Sequence, residues 1–239
     1  MTSVETKRAL FRRGMKDGVP IMLGYLAVSF TFGIEALKAG LTIGQAVLMS
    51  AMNLTSAGQF ASLSVIAAAG SYVELALSQL IINLRYCLMS CSLSQKIDPQ
   101  APFYHRFFVA YGNTDEVFAL SAAAKGYVSP VYSYGVILVA VFGWTMGTFL
   151  GAVAGSILPA RVLSALGVAL YGMFIAIVVP PATESRVLRR LILAAMLVST
   201  LFTYAPLLRD ISSGVRVMIL TVGLAALAAW LAPVKEEAQ

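Results

Sequence analysis

Seven long apolar stretches, residues 19–38, 44–70, 72–95, 131–157, 162–181, 187–207 and 213–232, leave this chain few folds to adopt. Each is close to the roughly 20 residues that carry an α-helix across a bilayer. Only 12% of the 239 residues are charged, and the mean hydropathy is +0.83. A water-soluble domain of that composition would lack the polar surface to cover itself. Barrel strands would alternate over short segments, whereas these runs are continuous and rich in Leu, Ala and Gly. The expected fold is all-α: a polytopic membrane helix bundle, one integral-membrane domain over residues 1–239 with the lipid bilayer as its surroundings.

The charges read as topology signals. Lys7, Arg8, Arg12, Arg13 and Lys16 precede the first run as a signal peptide's basic region would, but Glu35, Lys38 and the lack of a small-residue cleavage site argue for a retained helix. The net charge of +6 sits at the edges of apolar runs rather than along one amphipathic face, so no nucleic-acid partner is expected. By the positive-inside rule residues 1–18 form a basic cytoplasmic N-terminus, and Arg186, Arg189 and Arg190 mark a second cytoplasmic loop.

Lys96 and Arg106 also read as cytoplasmic, which constrains what precedes them. If 19–38 leaves the cytoplasm and 72–95 returns to it, then 44–70 begins and ends outside. Its centre, "NLTSAGQF" (53–60), holds Asn53, Thr55, Ser56, Gly58 and Gln59, poor neighbours for lipid, and Gly58 invites a break. Irregular backbone at membrane depth survives where protein or a water-filled cavity satisfies it, and broken or re-entrant helices recur as binding elements in transporters. A continuous helix with a polar packing face is the alternative. Residues 96–130 read as a connector between two helix groups. It opens with Pro99 and Pro102 and carries the adjacent acids Asp115 and Glu116; its part 103–124 either lies on the cytoplasmic surface or dips in and returns.

In "FGWTMGTFLGAVAG", Gly143, Gly147, Gly151 and Gly155 recur every four residues, one stripe along a helix that lets another helix approach closely. The sequence offers no catalytic set. His105 has no metal-ligating companions, Cys87 and Cys91 lie within an apolar run, and neither a phosphate-binding "GxxxxGKS" nor a "GxSxG" nucleophile elbow occurs. No metal, no cofactor and no enzymatic activity are expected.

The most informative charge is Arg85, in the middle of "SQLIINLRYCLMSCSL". A charge at the centre of a spanning helix costs roughly 2.5 to 3.5 kcal/mol on insertion scales, so it faces protein or water and has a purpose.

The order of a glycine-rich first helix, "TSAGQFA" (55–61), "NLRYCLMS" (83–90) and "DEVFAL" (115–120) resembles the AzlC family, the large subunits of bacterial branched-chain amino-acid exporters. The second half of the chain matches only in hydropathy and size. The resemblance implies secondary export of valine, leucine and isoleucine, with methionine as a further candidate. It also implies a place in the bacterial cytoplasmic membrane and a small AzlD-like membrane subunit as partner.

The residues suit such a substrate in kind. Arg85 supplies a planar donor fork for a carboxylate, while Asn53, Thr55, Ser56, Gly58 and Gln59 supply hydroxyls, amides and backbone groups. Asn83, on another part of the helix face, either joins the site or bonds a neighbouring helix. Asp115 or Glu116 takes the ammonium, carries a coupling proton, or pairs structurally with Arg85. A transporter or channel for another small solute and a non-transporting membrane scaffold remain as other readings.

The charge distribution generates a topological prediction. Gly44→Cys and Ser71→Cys, each alone in a chain lacking Cys87 and Cys91, are both expected to react with an impermeant thiol reagent added outside the cell. Reaction from opposite sides would establish a continuous span instead.

Overall fold

A computed structural model describes residues 6–124, 126–159, 161–162, 175, 179, 182–183, 185–205, 211 and 213–231. Among them are ten α-helices and no strand: α1 Lys7–Lys38, α2 Ile43–Met52, α3 Ala57–Ala67, α4 Tyr72–Ile82, α5 Leu84–Lys96, α6 Tyr104–Tyr111, α7 Asp115–Ala123, α8 Pro130–Ile157, α9 Arg186–Tyr204 and α10 Ser213–Leu231. The chain is an all-α membrane bundle, and α1, α8 and α9 are long and apolar enough to cross a bilayer. It divides into two compact units, Met1–Gln59 with Asn83–Gly167, and Phe60–Ile82 with Val168–Gln239.

The first unit is built on α1 against α8, its most extensive helix pair. Small residues on both sides bring the two backbones together. A Cβ added at Gly143 would collide with the Met22 carbonyl, at Gly147 with the Leu26 carbonyl and Ser29 Oγ, and at Gly151 with the Phe30 carbonyl. On the opposing helix, Gly14 faces the Tyr132 carbonyl and Gly33 the Thr148 carbonyl. Residue numbers rise together along both helices, Gly135 beside Phe11, Gly143 beside Met22 and Gly151 beside Phe30, so α1 and α8 run parallel. Gly155 has looser surroundings, with Leu37 Cδ1 at 3.3 Å from an added Cβ.

Residues 96–130, read from the sequence as a connector, are largely helical. They form α6 and α7, which bury Val109, Val117 and Ser121 and pack on α8 and, for α7, on α1. Their ends are tied together: Ile97 and Val128 form a parallel bridge, with Val128 N–H donating to the Lys96 carbonyl at 2.8 Å and Asp98 N–H to the Val128 carbonyl at 3.2 Å. The α6–α7 excursion therefore begins and ends beside the first residue of α8 and reaches inward between. Its tip, Gly112 to Thr114, lies against the middle of the first unit, where an added Cβ at Gly112 would strike Ile137 and where Glu116 meets Tyr25.

This geometry restricts the topology. The last residue of α5, Lys96, sits at the end of the unit where α8 starts and, because the pair is parallel, where α1 starts. Lys38, the last residue of α1, lies at the opposite end of that unit. The stretches 44–70 and 72–95 lie between these two residues in the chain.

Both of those stretches are interrupted. α2 starts in a capping box, with Gln45 N–H donating to Thr42 Oγ1 and Thr42 N–H to Gln45 Oε1. It ends where Asn53 turns extended, and Ser56 adopts φ +45° before α3 begins. The break therefore precedes Gly58, which is the second residue of α3, contrary to the expectation that Gly58 makes it. The run 72–95 is two helices rather than one, parted at Asn83. Helix α1 starts at Lys7, so the basic N-terminus is largely the first turns of the helix itself. The apolar run 162–181 lies almost wholly outside the described residues.

In the second unit α10 packs on α4 and on α9. Gln79 Nε2 donates to Ser62 Oγ at 2.9 Å, and Arg216 Nη1 to Thr203 Oγ1 at 3.2 Å.

The α1–α8 contact makes a quantitative prediction. Gly151→Ala meets backbone, which no side-chain rotation relieves, and should cost about 1–3 kcal/mol or more. Gly155→Ala meets one flexible leucine and should be nearly silent. Thermal unfolding in detergent, read as the fraction of protein staying monodisperse, distinguishes the two; equal midpoints would refute close backbone packing at Gly151.

Candidate functional site

Three interruptions, between α2 and α3, α4 and α5, and α6 and α7, place non-helical backbone inside the first unit. Each carries an asparagine, Asn53, Asn83 or Asn113, a residue that tolerates off-helix backbone and bonds nearby main chain. Asn53 Oδ1 accepts from Thr55 N–H at 3.0 Å and closes the first turn. Asn83 precedes α5 without a side-chain capping bond. Asn113, 3% exposed, donates through Nδ2 to Ser90 Oγ of α5 at 3.1 Å.

The interruptions converge. Leu54 from the first and Val117 from the third share one apolar cluster with Tyr25 of α1 and Val136, Ile137, Ala140 and Trp144 of α8. Tyr111 hydroxyl donates to the Ala51 carbonyl, joining the ends of α6 and α2. Arg85 Nη1 reaches Asp115 Oδ2 at 2.8 Å, joining the starts of α5 and α7.

Behind this junction runs a buried polar chain. Trp144 Nε1 donates to Gln59 Oε1 at 2.9 Å, Gln59 Nε2 donates to Ser50 Oγ at 3.2 Å, and Ser50 shares a hydrogen bond with Thr148 at 2.7 Å. All four side chains are essentially excluded from solvent. Tyr25 meets the Trp144 ring edge-on at 5.4 Å between centroids, and its hydroxyl donates to Glu116 Oε2. A carboxylate is thereby linked through two aromatic rings to the amide of Gln59.

Charge placement follows the helix ends. Asp115 and Glu116 fill the first turn of α7, where an acid complements the positive end of the helix, and Thr114 Oγ1 caps Val117 N–H at 3.4 Å. Arg85 lies in the first turn of α5, not in mid-helix as its apolar flanks suggested. A cation there opposes the helix dipole, and Asp115 offsets it. The Arg85 guanidinium also lies over the Tyr86 ring at 4.9 Å. Arg85 and Asp115 remain half-exposed, with 47% and 46% of their side chains accessible. Glu116 has the Tyr25 hydroxyl but no cation within ion-pair distance among the described residues. The junction thus holds two acids and one base.

The remaining site candidates take local roles. Ser56 supplies the left-handed turn before α3, Thr55 Oγ1 is buried without a hydrogen-bond partner in the structure, and Gly58 is buried in the first turn of α3. The stripe Gly143, Gly147, Gly151 and Gly155 faces α1 and not the junction. Tyr25, Trp144 and Asn113 were not singled out from the sequence. An aromatic in an apolar run resembles core, and only the fold turns the Tyr25 hydroxyl toward an acid.

A family model described as "AzlC protein" matches residues 20–158, from within α1 to the end of α8. The chain belongs to the AzlC family. The AzlC match covers all three interruptions and the α1–α8 pair. Among relatives, a protein of Archaeoglobus fulgidus named "Uncharacterized membrane protein" is 32% identical over 177 residues, 73% of this chain and 77% of its own. "Inner membrane protein YgaZ" of Escherichia coli K12 is 31% identical over 152 residues, 62% of each chain. An "Uncharacterized membrane protein" of Helicobacter pylori is 26% identical over 153 residues, 61% of this chain and 66% of that one. The aligned part thus spans slightly less than two thirds of the E. coli and H. pylori proteins. No solved structure matches this AzlC chain.

The Arg85–Asp115 pair in this AzlC protein can be measured. Arg85→Gln and Asp115→Asn should each lower stability, and the double variant should regain part of the loss. A coupling of about 0.2–1 kcal/mol is expected for a half-exposed pair, shrinking in high salt. Strictly additive single effects would show that the pair stabilises nothing.

Proposed function

We propose that this chain is a secondary transporter that exports branched-chain amino acids, valine, leucine or isoleucine, from the cytoplasm. Methionine is a further candidate. In this reading it works with a small AzlD-like membrane subunit and sits in the cytoplasmic membrane with its N-terminus inside. The observation that supports it is the meeting of three interrupted helices around Arg85, Asp115 and Glu116, beside the apolar cluster that holds Leu54, Val117 and Ile137. Broken helices expose backbone amides and carbonyls to a bound solute at the depth where transporters bind. The same junction offers an arginine fork for a carboxylate, acids for an ammonium, and Leu, Ile and Val surfaces for an aliphatic side chain.

The surplus acid is the natural coupling group in this reading. Among the described residues Glu116 has no cation within ion-pair distance, and the Tyr25 hydroxyl donates to its carboxylate. The sequence carries no nucleotide-binding loop, which favours an ion gradient as the energy source.

Proteoliposomes loaded with labelled leucine test the proposal, with the full-length chain reconstituted alone and with its small subunit. Wild-type vesicles should release leucine faster than empty ones and faster still under a proton gradient. Glu116→Gln should lose the gradient dependence at least tenfold while retaining leucine–leucine exchange. Release no faster than from empty vesicles, with the small subunit present, would reject export of these amino acids.

A further inference from the structure

A groove of about 510 Å³ lies between α5 and α6, apart from the Arg85–Asp115 pair. Leu93, Ile97, Phe107 and Ala110 give it an apolar wall, and its polar groups stand at two levels. At one level Arg106 Nε donates to Ser94 Oγ at 3.0 Å. At the other Asn113 Nδ2 donates to Ser90 Oγ at 3.1 Å. Ser90 and Ser94 are four apart on α5, so the two levels are about 5–6 Å from one another.

Each level leaves one function unused. The Arg106 terminal nitrogens have no acid within ion-pair distance among the described residues, whereas Arg85 is already matched by Asp115. Asn113 is 3% exposed, lines the groove, and its Oδ1 has no hydrogen-bond partner in the structure. A buried carboxamide oxygen is costly to leave unpaired. A donor fork and a lone acceptor, held at levels about one helical turn apart along α5 and beside an apolar wall, suit a small zwitterion with an aliphatic side chain.

We propose that this groove is an amino-acid loading site, in which Arg106 binds the carboxylate and Asn113 Oδ1 the ammonium. The site rests on the amino-acid reading above and extends it: substrate is first held here and then passes to the junction at the α6–α7 tip. Arg106 lies toward the end of the unit where α1 and α8 start, and Asn113 at the tip itself. The groove therefore leads from that end to the helix interruptions. An acyl chain of lipid would fill the apolar wall and leave both polar groups unmet.

The protein carries its own probes. Its two cysteines, Cys87 and Cys91, both line this groove and are exposed. In vesicles holding the wild-type chain, leucine should slow their modification by N-ethylmaleimide, followed by mass spectrometry. Leucinamide, which lacks the carboxylate, and 4-methylpentanoate, which lacks the ammonium, should each protect roughly ten- to a hundredfold more weakly. Arg106→Gln and Asn113→Leu should abolish protection by leucine while unprotected labelling stays at the wild-type rate, which reports a correctly folded groove. Should either variant misfold, Ala110→Phe fills the groove from its exposed rim and should remove protection alone.

Leucine efflux from the same vesicles separates the two readings. Efflux without any protection by leucine overturns the loading site and leaves export standing. Neither efflux nor protection overturns both. Protection by oleate that matches or exceeds that by leucine, or protection unchanged in Arg106→Gln, assigns the groove to lipid and overturns the proposal.

Discussion

The fold of the first unit depends on how closely α1 and α8 approach. Lipid tails are as apolar as leucine, so two helices in a bilayer gain little from the hydrophobic effect; they hold together by dispersion over surfaces that fit. Glycine at 143, 147 and 151 on one helix, answered by Gly14, Gly18 and Gly33 on the other, lets carbonyls and Cα atoms touch where side chains would hold them apart. The contact is parallel, and that direction propagates. It sets the ends of α1 and α8 level and gives α6 and α7 a common base at Ile97 and Val128.

A rigid pair of long helices also explains how the chain tolerates interruptions. Each break releases backbone groups that lipid cannot satisfy. The first and third breaks lie against α1 and α8, where the Tyr25 hydroxyl and the Trp144 indole N–H bond the Glu116 and Gln59 side chains beside them. Gln59, buried to 0% exposure, is kept by its bonds to Trp144 and Ser50. The aromatic pair is thus both core and polar connector, joining the first interruption to the third.

Electrostatics then sorts the charges. Acids at the start of α7 agree with the helix dipole, while the arginine at the start of α5 opposes it and is matched by Asp115. With Arg85 so engaged, Arg106 is the arginine to which the proposed loading groove gives an incoming carboxylate. Glu116 is left as the acid met by a hydroxyl and, among the described residues, by no cation. The proposed loading groove and junction divide binding and coupling between neighbouring groups instead of asking one arginine to do both.

Much of this was legible in the chain. Composition and run length determined an all-α membrane bundle, because no other fold hides that much apolar surface from water. Asn53, Thr55 and Ser56 marked a break, since short polar side chains compete with helix hydrogen bonds; the four-residue glycine period marked a close contact. The motifs at 55–61, 83–90 and 115–120 announced the family. Other features became visible only in three dimensions. A hydropathy window averages across Asn83 and shows no interruption there, and so Arg85 looked central when it begins a helix. For 96–130 the sequence left open whether 103–124 lies on the surface or dips in and returns; packing against α8 turns it inward. Which arginine is neutralised, which acid is not, and where Asn113 leaves an oxygen unmet are set by distances between residues far apart in sequence. Periodicity along one chain carries no information about such distances, and tertiary packing alone decided them.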